Sequence, residues 1–225
     1  MGEYVSAGRV NGYVCHPTKA GGAGMLLLPH VMGIEPPMRE DAQAFADAGF
    51  TTLVWDPYPG FDVEKDGEPP RCVDETCVAD QVACVSYMLS ELGVQRVGMI
   101  GWCMGGRMAL TLAARERRLA AAVAYYPSLR EPRRAEEIDV VPIAGEIRCP
   151  LQVVYPGKDH VTSNATFAAL RKQLDTCPGP VTVQVYPDAV HGFLSRQGES
   201  EANGLAGRLA WPQTMAFLRA AVFRD

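Results

Sequence analysis

The chain has 225 residues, 48% of them hydrophobic, and carries a net charge of −5 at pH 7. That length admits one α/β domain or two small ones, with enough apolar residues for a sizeable core. No basic stripe appears, which argues against a nucleic-acid partner. No apolar run reaches a membrane span, and Met1 to Val10 shows no charged-then-apolar leader, so a cytoplasmic protein without a membrane partner is expected.

In chain order, Arg9 to Cys15 alternates and reads as a strand, with Asn11-Gly12 as a turn or bulge within it. Met25 to Leu28 is a short apolar run, the pattern of a strand buried on both faces. It ends in the loop Pro29-His30-Val31-Met32-Gly33. Pro36-Pro37 opens a helix to about Ala48, stopped by Gly49. Thr51 to Trp55 is the next buried strand, with Asp56 capping its own loop. A polar loop from Phe61 to Arg71 follows.

Asp74 is read as the N-cap of a helix to about Leu92, whose Val78, Val82, Val85, Leu89 and Leu92 share one face. Arg96 to Ile100 is a strand, and Met104 to about Ala114 a helix. Leu119 to Tyr126 is a strand, followed by a charged connection from Pro127 to Arg148 that could carry a short helix or edge element. Leu151 to Tyr155 and Val181 to Tyr186 are strands flanking a helix from about Ser163 to Leu174. A last helix fits Trp211 to Phe223, with Pro212 in its first turn. Strands alternate with helices over residues 1–225, which predicts a single α/β domain with a mostly parallel sheet covered on both faces.

Between the Arg96 strand and the Met104 helix stands Gly101-Trp102-Cys103-Met104-Gly105-Gly106. An apolar strand running into Gly-x-Cys-x-Gly has the form of a nucleophile elbow, with cysteine as the nucleophile. Such a turn strains the backbone of the central residue and lifts its side chain clear of the sheet. The helix N-terminus beyond it favours thiolate. The plainer reading is a packed turn with an inert cysteine. Seven cysteines, no C-x-x-C pair and no leader argue against a disulfide framework or a structural zinc site.

Ligands bind beyond the carboxyl ends of strands in such sheets. His30, Cys103, Asp159 and His191 all fall in loops there. The order Cys103, Asp159, His191 is nucleophile, acid, histidine, the chain order of α/β-hydrolases. His191 would share the Cys103 proton and Asp159 would fix its tautomer. Backbone N–H groups of Met104 and Val31 would hold the oxyanion. Asp159 could instead cap the next helix, and Asp188 is a rival acid. His30 and His160 invite a metal reading, but no helical i, i+4 histidine pair and no H-E-x-x-H occur, so no metal is expected.

The elbow, Gly157-Lys158-Asp159-His160-Val161, Ala189-Val190-His191-Gly192-Phe193, Met38-Arg39-Glu40, Asp56-Pro57-Tyr58 and Tyr125-Tyr126-Pro127 together resemble the dienelactone hydrolase family of α/β-hydrolases. The resemblance runs through nearly the whole chain. It implies a cofactor-free hydrolase of small esters or lactones, with a Cys-Asp-His triad and a thioester intermediate. The family's type reaction opens the lactone ring of dienelactone.

The type enzyme carries a glutamate just before the second oxyanion residue, where this chain has His30. A protonated His30 would stabilise the Cys103 thiolate instead of accepting its proton. The type enzyme also binds its anionic substrate with arginines. In that register this chain offers Ser195, with Arg196 beside it, while Arg71 is a candidate for the other. Trp102 is a further substrate-lining candidate. Two other readings are open. Glutamine amidotransferases place a cysteine on such an elbow, but their acid lies two residues after the histidine, where this chain has Phe193. The scaffold could also serve binding or redox sensing without catalysis.

Overall fold

The computed structural model describes residues 2–19 and 21–223. Among these residues eight strands form one sheet: β1 (Glu3–Ala7), β2 (Val10–Cys15), β3 (Ala23–Leu28), β4 (Thr51–Trp55), β5 (Arg96–Trp102), β6 (Leu119–Tyr125), β7 (Leu151–Lys158) and β8 (Val181–Val190). The order across the sheet is β1-β2-β4-β3-β5-β6-β7-β8. β2 runs antiparallel to both its neighbours, and every pairing from β4 to β8 is parallel.

Among the described residues there are six helices: α1 (Pro36–Asp47), α2 (Val63–Asp66), α3 (Asp74–Ser90), α4 (Met104–Arg115), α5 (Asn164–Leu174) and α6 (Glu201–Val222). α1 and α6 pack on one face through Phe45, Ala46, Ala210 and Leu218. α3, α4 and α5 pack on the other through Val85, Met88, Met108, Leu112 and Leu170. β3 and β4 are buried along their full length, as strands covered on both faces must be. None of the helices among the described residues is long and apolar enough to cross a membrane.

Several elements differ from the sequence reading. β1 was not anticipated: four of its five residues are exposed and it shows no apolar alternation, so only pairing with β2 defines it. Asn11 and Gly12 lie inside β2 rather than in a turn. The loop after Phe61 contains the single turn α2. The connection after Pro127 carries a short helix, as the sequence allowed, a 3-10 segment at Val141–Glu146.

Asp74 is not an N-cap. Val73 holds that position without a side-chain bond. The Asp74 carboxylate is buried, pairs with the buried Arg107 guanidinium and accepts the Ile138 N–H. A buried carboxylate needs such partners, so tertiary packing overrode the local signal. Pro212 lies inside α6, which begins ten residues earlier than expected under a Ser200 cap that accepts the Asn203 N–H. Proline removes one hydrogen bond there, at a cost of about 3 kcal/mol. Burial of Ala206, Ala210, Leu218 and Val222 offsets it.

Candidate active site

Cys103 separates β5 from α4 with φ +55° and ψ −112°, a conformation that residues with a side chain rarely adopt. Its N–H donates to the Tyr125 carbonyl (3.1 Å). Its carbonyl accepts from the N–H groups of Arg107 (3.1 Å) and Ser128 (3.0 Å). Glycine is required on both sides. A Cβ on Gly101 would stand 2.1 Å from the Gly105 carbonyl oxygen, and one on Gly105 would stand 2.0 Å from that of Leu28. The thiol is half-buried at the N-terminus of α4, where partial positive charge favours an anion.

β7 and β8 are longer than the sequence suggested, and their last pairing is Lys158 with Val190. The next residue on each strand is Asp159 and His191, which therefore emerge side by side. His191 Nδ1 lies 3.0 and 2.9 Å from the two Asp159 carboxylate oxygens. Asp159 Oδ1 also accepts the N–H groups of Val161 (2.7 Å) and Thr162 (3.0 Å), while Ser163 caps α5. The His191 side chain is 9% exposed and that of Asp159 is fully buried.

Burial alone would lower the His191 pKa. The Asp159 hydrogen bond and the influence of Cys103 outweigh it and raise the pKa to about 9. His191 Nε2 is buried and closes no hydrogen bond among the described residues, and Cys103 acts on the ring across that gap. The rival acid, Asp188, pairs instead with Lys158 in solvent (2.8 Å).

Gly33 N–H donates to the His30 carbonyl, closing a turn in which Val31 is the second residue. The N–H at that position of a turn, like the first N–H groups of a helix, has no local acceptor. Val31 and Met104 line one cavity together with Cys103. His30 turns elsewhere. Its Nδ1 accepts the Met32 N–H (3.2 Å), and its Nε2 lies 3.4 Å from Glu35. Burial lowers its pKa despite Glu35. Burial and the Met32 N–H on Nδ1 favour the neutral ring over the protonated one.

The cavity at Cys103 measures about 230 Å³ and is lined by Arg71, Arg107, Arg130 and Arg134 against Glu68, Glu136 and Glu137. Arg71 lies 4.0 Å from Glu136 and Arg130 lies 3.4 Å from Glu137. Arg134 has no ion-pair partner among the described residues, and no sequence signal distinguished it in a loop rich in arginine. Cys72 also lines this cavity. Its hydrogen bond with Cys77 holds its thiol below the ordinary value against burial.

A second cavity of about 760 Å³ is lined by Trp102, His30 and Tyr126. Arg196 lines neither cavity and pairs with Glu199 at 2.8 Å. Among the described residues no three His, Cys, Asp or Glu side chains are grouped to hold a metal.

The family model described as "Dienelactone hydrolase family" matches residues 10–222. "Protein usf" of Aquifex pyrophilus is 24% identical over 223 residues, covering 94% of this chain and 93% of its own. A carboxymethylenebutenolidase of Rhodococcus opacus is 24% identical over 218 residues, covering 90% of this chain and 83% of its own. The crystal structure of a "putative dienelactone hydrolase" from Klebsiella pneumoniae superposes with a TM-score of 0.83 at 21% identity. It covers 97% of this chain and 98% of that one, a likeness of fold.

Proposed function

The chain belongs to the dienelactone hydrolase family, and from that premise we propose that it hydrolyses small lactones or esters through a thioester on Cys103, with His191 transferring protons and Asp159 orienting it. The observation that carries the reading is His191 itself. Its Nδ1 is held by Asp159, and its buried Nε2 is left open beside Cys103.

In this reading His191 Nε2 takes the Cys103 proton while Asp159 keeps the Nδ1 proton in place. Sγ attacks the acyl carbon, and the carbonyl π pair moves onto oxygen. The N–H groups of Val31 and Met104 stabilise that oxyanion. Its collapse breaks the acyl–oxygen bond, and His191 gives its proton to the leaving oxygen. In a lactone the freed hydroxyl stays tethered to the acyl chain. Water then attacks the thioester, losing a proton to His191, and the expelled thiolate recovers it. Arg134 and Arg71 are the groups a substrate carboxylate would meet. Comparing dienelactone isomers with neutral lactones tests that part.

Replacing Cys103 or His191 by alanine should lower turnover of p-nitrophenyl acetate by about 10³-fold or more in a folded protein. Unchanged turnover in either variant sinks the assignment. Iodoacetamide labelling across pH adds a second readout, mapped by peptide because Cys72 shares the cavity. Cys103 should label faster in wild type than in His191→Ala, as an activated thiol does. Equal rates would mark an unactivated one.

A further inference from the structure

The elbow has two sides, and the larger space lies away from Arg71, Arg107, Arg130 and Arg134. The 760 Å³ cavity sits where α1, α6 and the loop after β8 meet. Its volume falls within the range of small-molecule pockets. Trp102, Tyr126, Trp211, Met38 and Leu194 form its apolar walls. Asp41 contributes a carboxylate to the lining and the exposed Arg208 a guanidinium.

This cavity abuts the chemistry at three points. Trp102 is covalently joined to Cys103, and His30 to Val31. The Tyr126 ring packs on the His191 ring with centroids 5.2 Å apart. Tyr126 has φ +34°, held in that strained state by its N–H bond to the Val154 carbonyl. Burial keeps its hydroxyl protonated, and the nearby Cys103 and Asp41 add to that. Cys103 itself packs against the apolar cluster that contains Trp102 and Tyr126.

Acyl transfer needs room on both sides of the attacked carbon, one for the acyl group and one for the leaving group. The 230 Å³ cavity is charged, and the 760 Å³ cavity is aromatic. We propose that the aromatic cavity is a second chamber of the same active site, and that it holds an uncharged aryl group whose polar donor faces Asp41. This rests on the assignment of Cys103 as nucleophile. Three aromatic side chains and a methionine offer ring faces, edges and a thioether for a planar ligand. A cation would share the space with Arg208, and an anion would face Asp41. An uncharged ring avoids both conflicts.

Phenol is the probe. It is titrated into the wild-type protein by calorimetry, with tryptophan emission as a second signal. Trp102 and Trp211 line the cavity, whereas Trp55 is 1% exposed within β4. Saturable binding with a change in emission is expected. Ser195→Trp fills the cavity from its exposed rim and should weaken phenol about tenfold, roughly 1.4 kcal/mol. Leu194→Trp serves as the second filling variant if the first does not fold. Arg134→Ala, which alters the other cavity, should leave phenol binding unchanged.

In turnover, either filled variant should lower kcat/KM for dihydrocoumarin about tenfold relative to δ-valerolactone, the same ring without its fused benzene, again on the scale of 1.4 kcal/mol. Phenol should compete with dihydrocoumarin. The proposal is overturned if phenol does not saturate, if both filled variants bind it as well as wild type, if tetramethylammonium binds more tightly, or if phenol binds without competing. Turnover surviving in Cys103→Ala would instead overturn the nucleophile assignment, while the phenol titration would still report on the cavity.

Discussion

His191 and His30 stand at the same carboxyl edge of the sheet, and their pKa values move in opposite directions. Burial pushes both down. At His191 a carboxylate with two oxygens at about 3 Å, itself fixed by two backbone N–H groups, reverses the effect. At His30 the partner is Glu35 at 3.4 Å, and the Met32 N–H occupies Nδ1, which favours a neutral ring. The difference lies in whether the partner carboxylate is held in place and whether the second nitrogen is left open. An open Nε2 beside a thiol can move a proton. A ring with both nitrogens engaged shapes a loop.

The contrast can be broken at its strongest point first. Asp159→Asn removes the charge that separates the two histidines and should lower kcat by about 10³–10⁴-fold, measured on p-nitrophenyl acetate with the fold checked by circular dichroism. Retained kcat would show that Asp159 does not orient His191.

Thermal stability across pH provides the next test. A histidine whose folded pKa is raised from 6.5 to about 9 contributes stability that is full below pH 6.5 and is lost as pH rises through about 9. The Tm of wild type should therefore fall over that window by more than the Tm of His191→Gln. His30, with its pKa lowered, works the other way. Its contribution is present above 6.5 and lost as pH falls from there through its folded pKa. Equal slopes for wild type and His191→Gln would contradict the ion pair.

Smaller effects follow at the edges of the site. His30→Gln can still accept the Met32 N–H and face Glu35, so the pH profile of activity should keep its shape, with the rate within about tenfold. A shifted profile would show that charge on His30 reaches Cys103. Asp188→Asn removes only an exposed pair with Lys158. It should change stability by less than about 1 kcal/mol in urea unfolding and leave kcat unaltered.

Much of the site was legible in the sequence because its parts obey local rules. Gly101 and Gly105 flank Cys103 because a strand-turn-helix this tight admits no Cβ at either position. The placement of Asp159 and His191 beyond successive strands followed from the alternation of elements. The directions of the Arg196 and His30 side chains were not legible, because a register to a related family gives a position in the chain and not the direction of a side chain. Arg196 found Glu199, and His30 found Glu35 and the Met32 N–H. The charged cavity at Cys103 and the aromatic one at Trp102 were invisible for a similar reason. Each gathers residues from several separate segments of chain.

Apolar runs, turn residues and their order determined an α/β sheet and put a cysteine, an aspartate and a histidine at its carboxyl edge. Those signals depend only on neighbours in the chain. Tertiary structure decided the rest. The pairing of Lys158 with Val190 carries both strands past their prolines and sets Asp159 against His191. Packing across the sheet buried Asp74 on Arg107 and drew α6 through Pro212. These outcomes turn on the desolvation of charges and on contacts between distant segments, which local sequence does not encode.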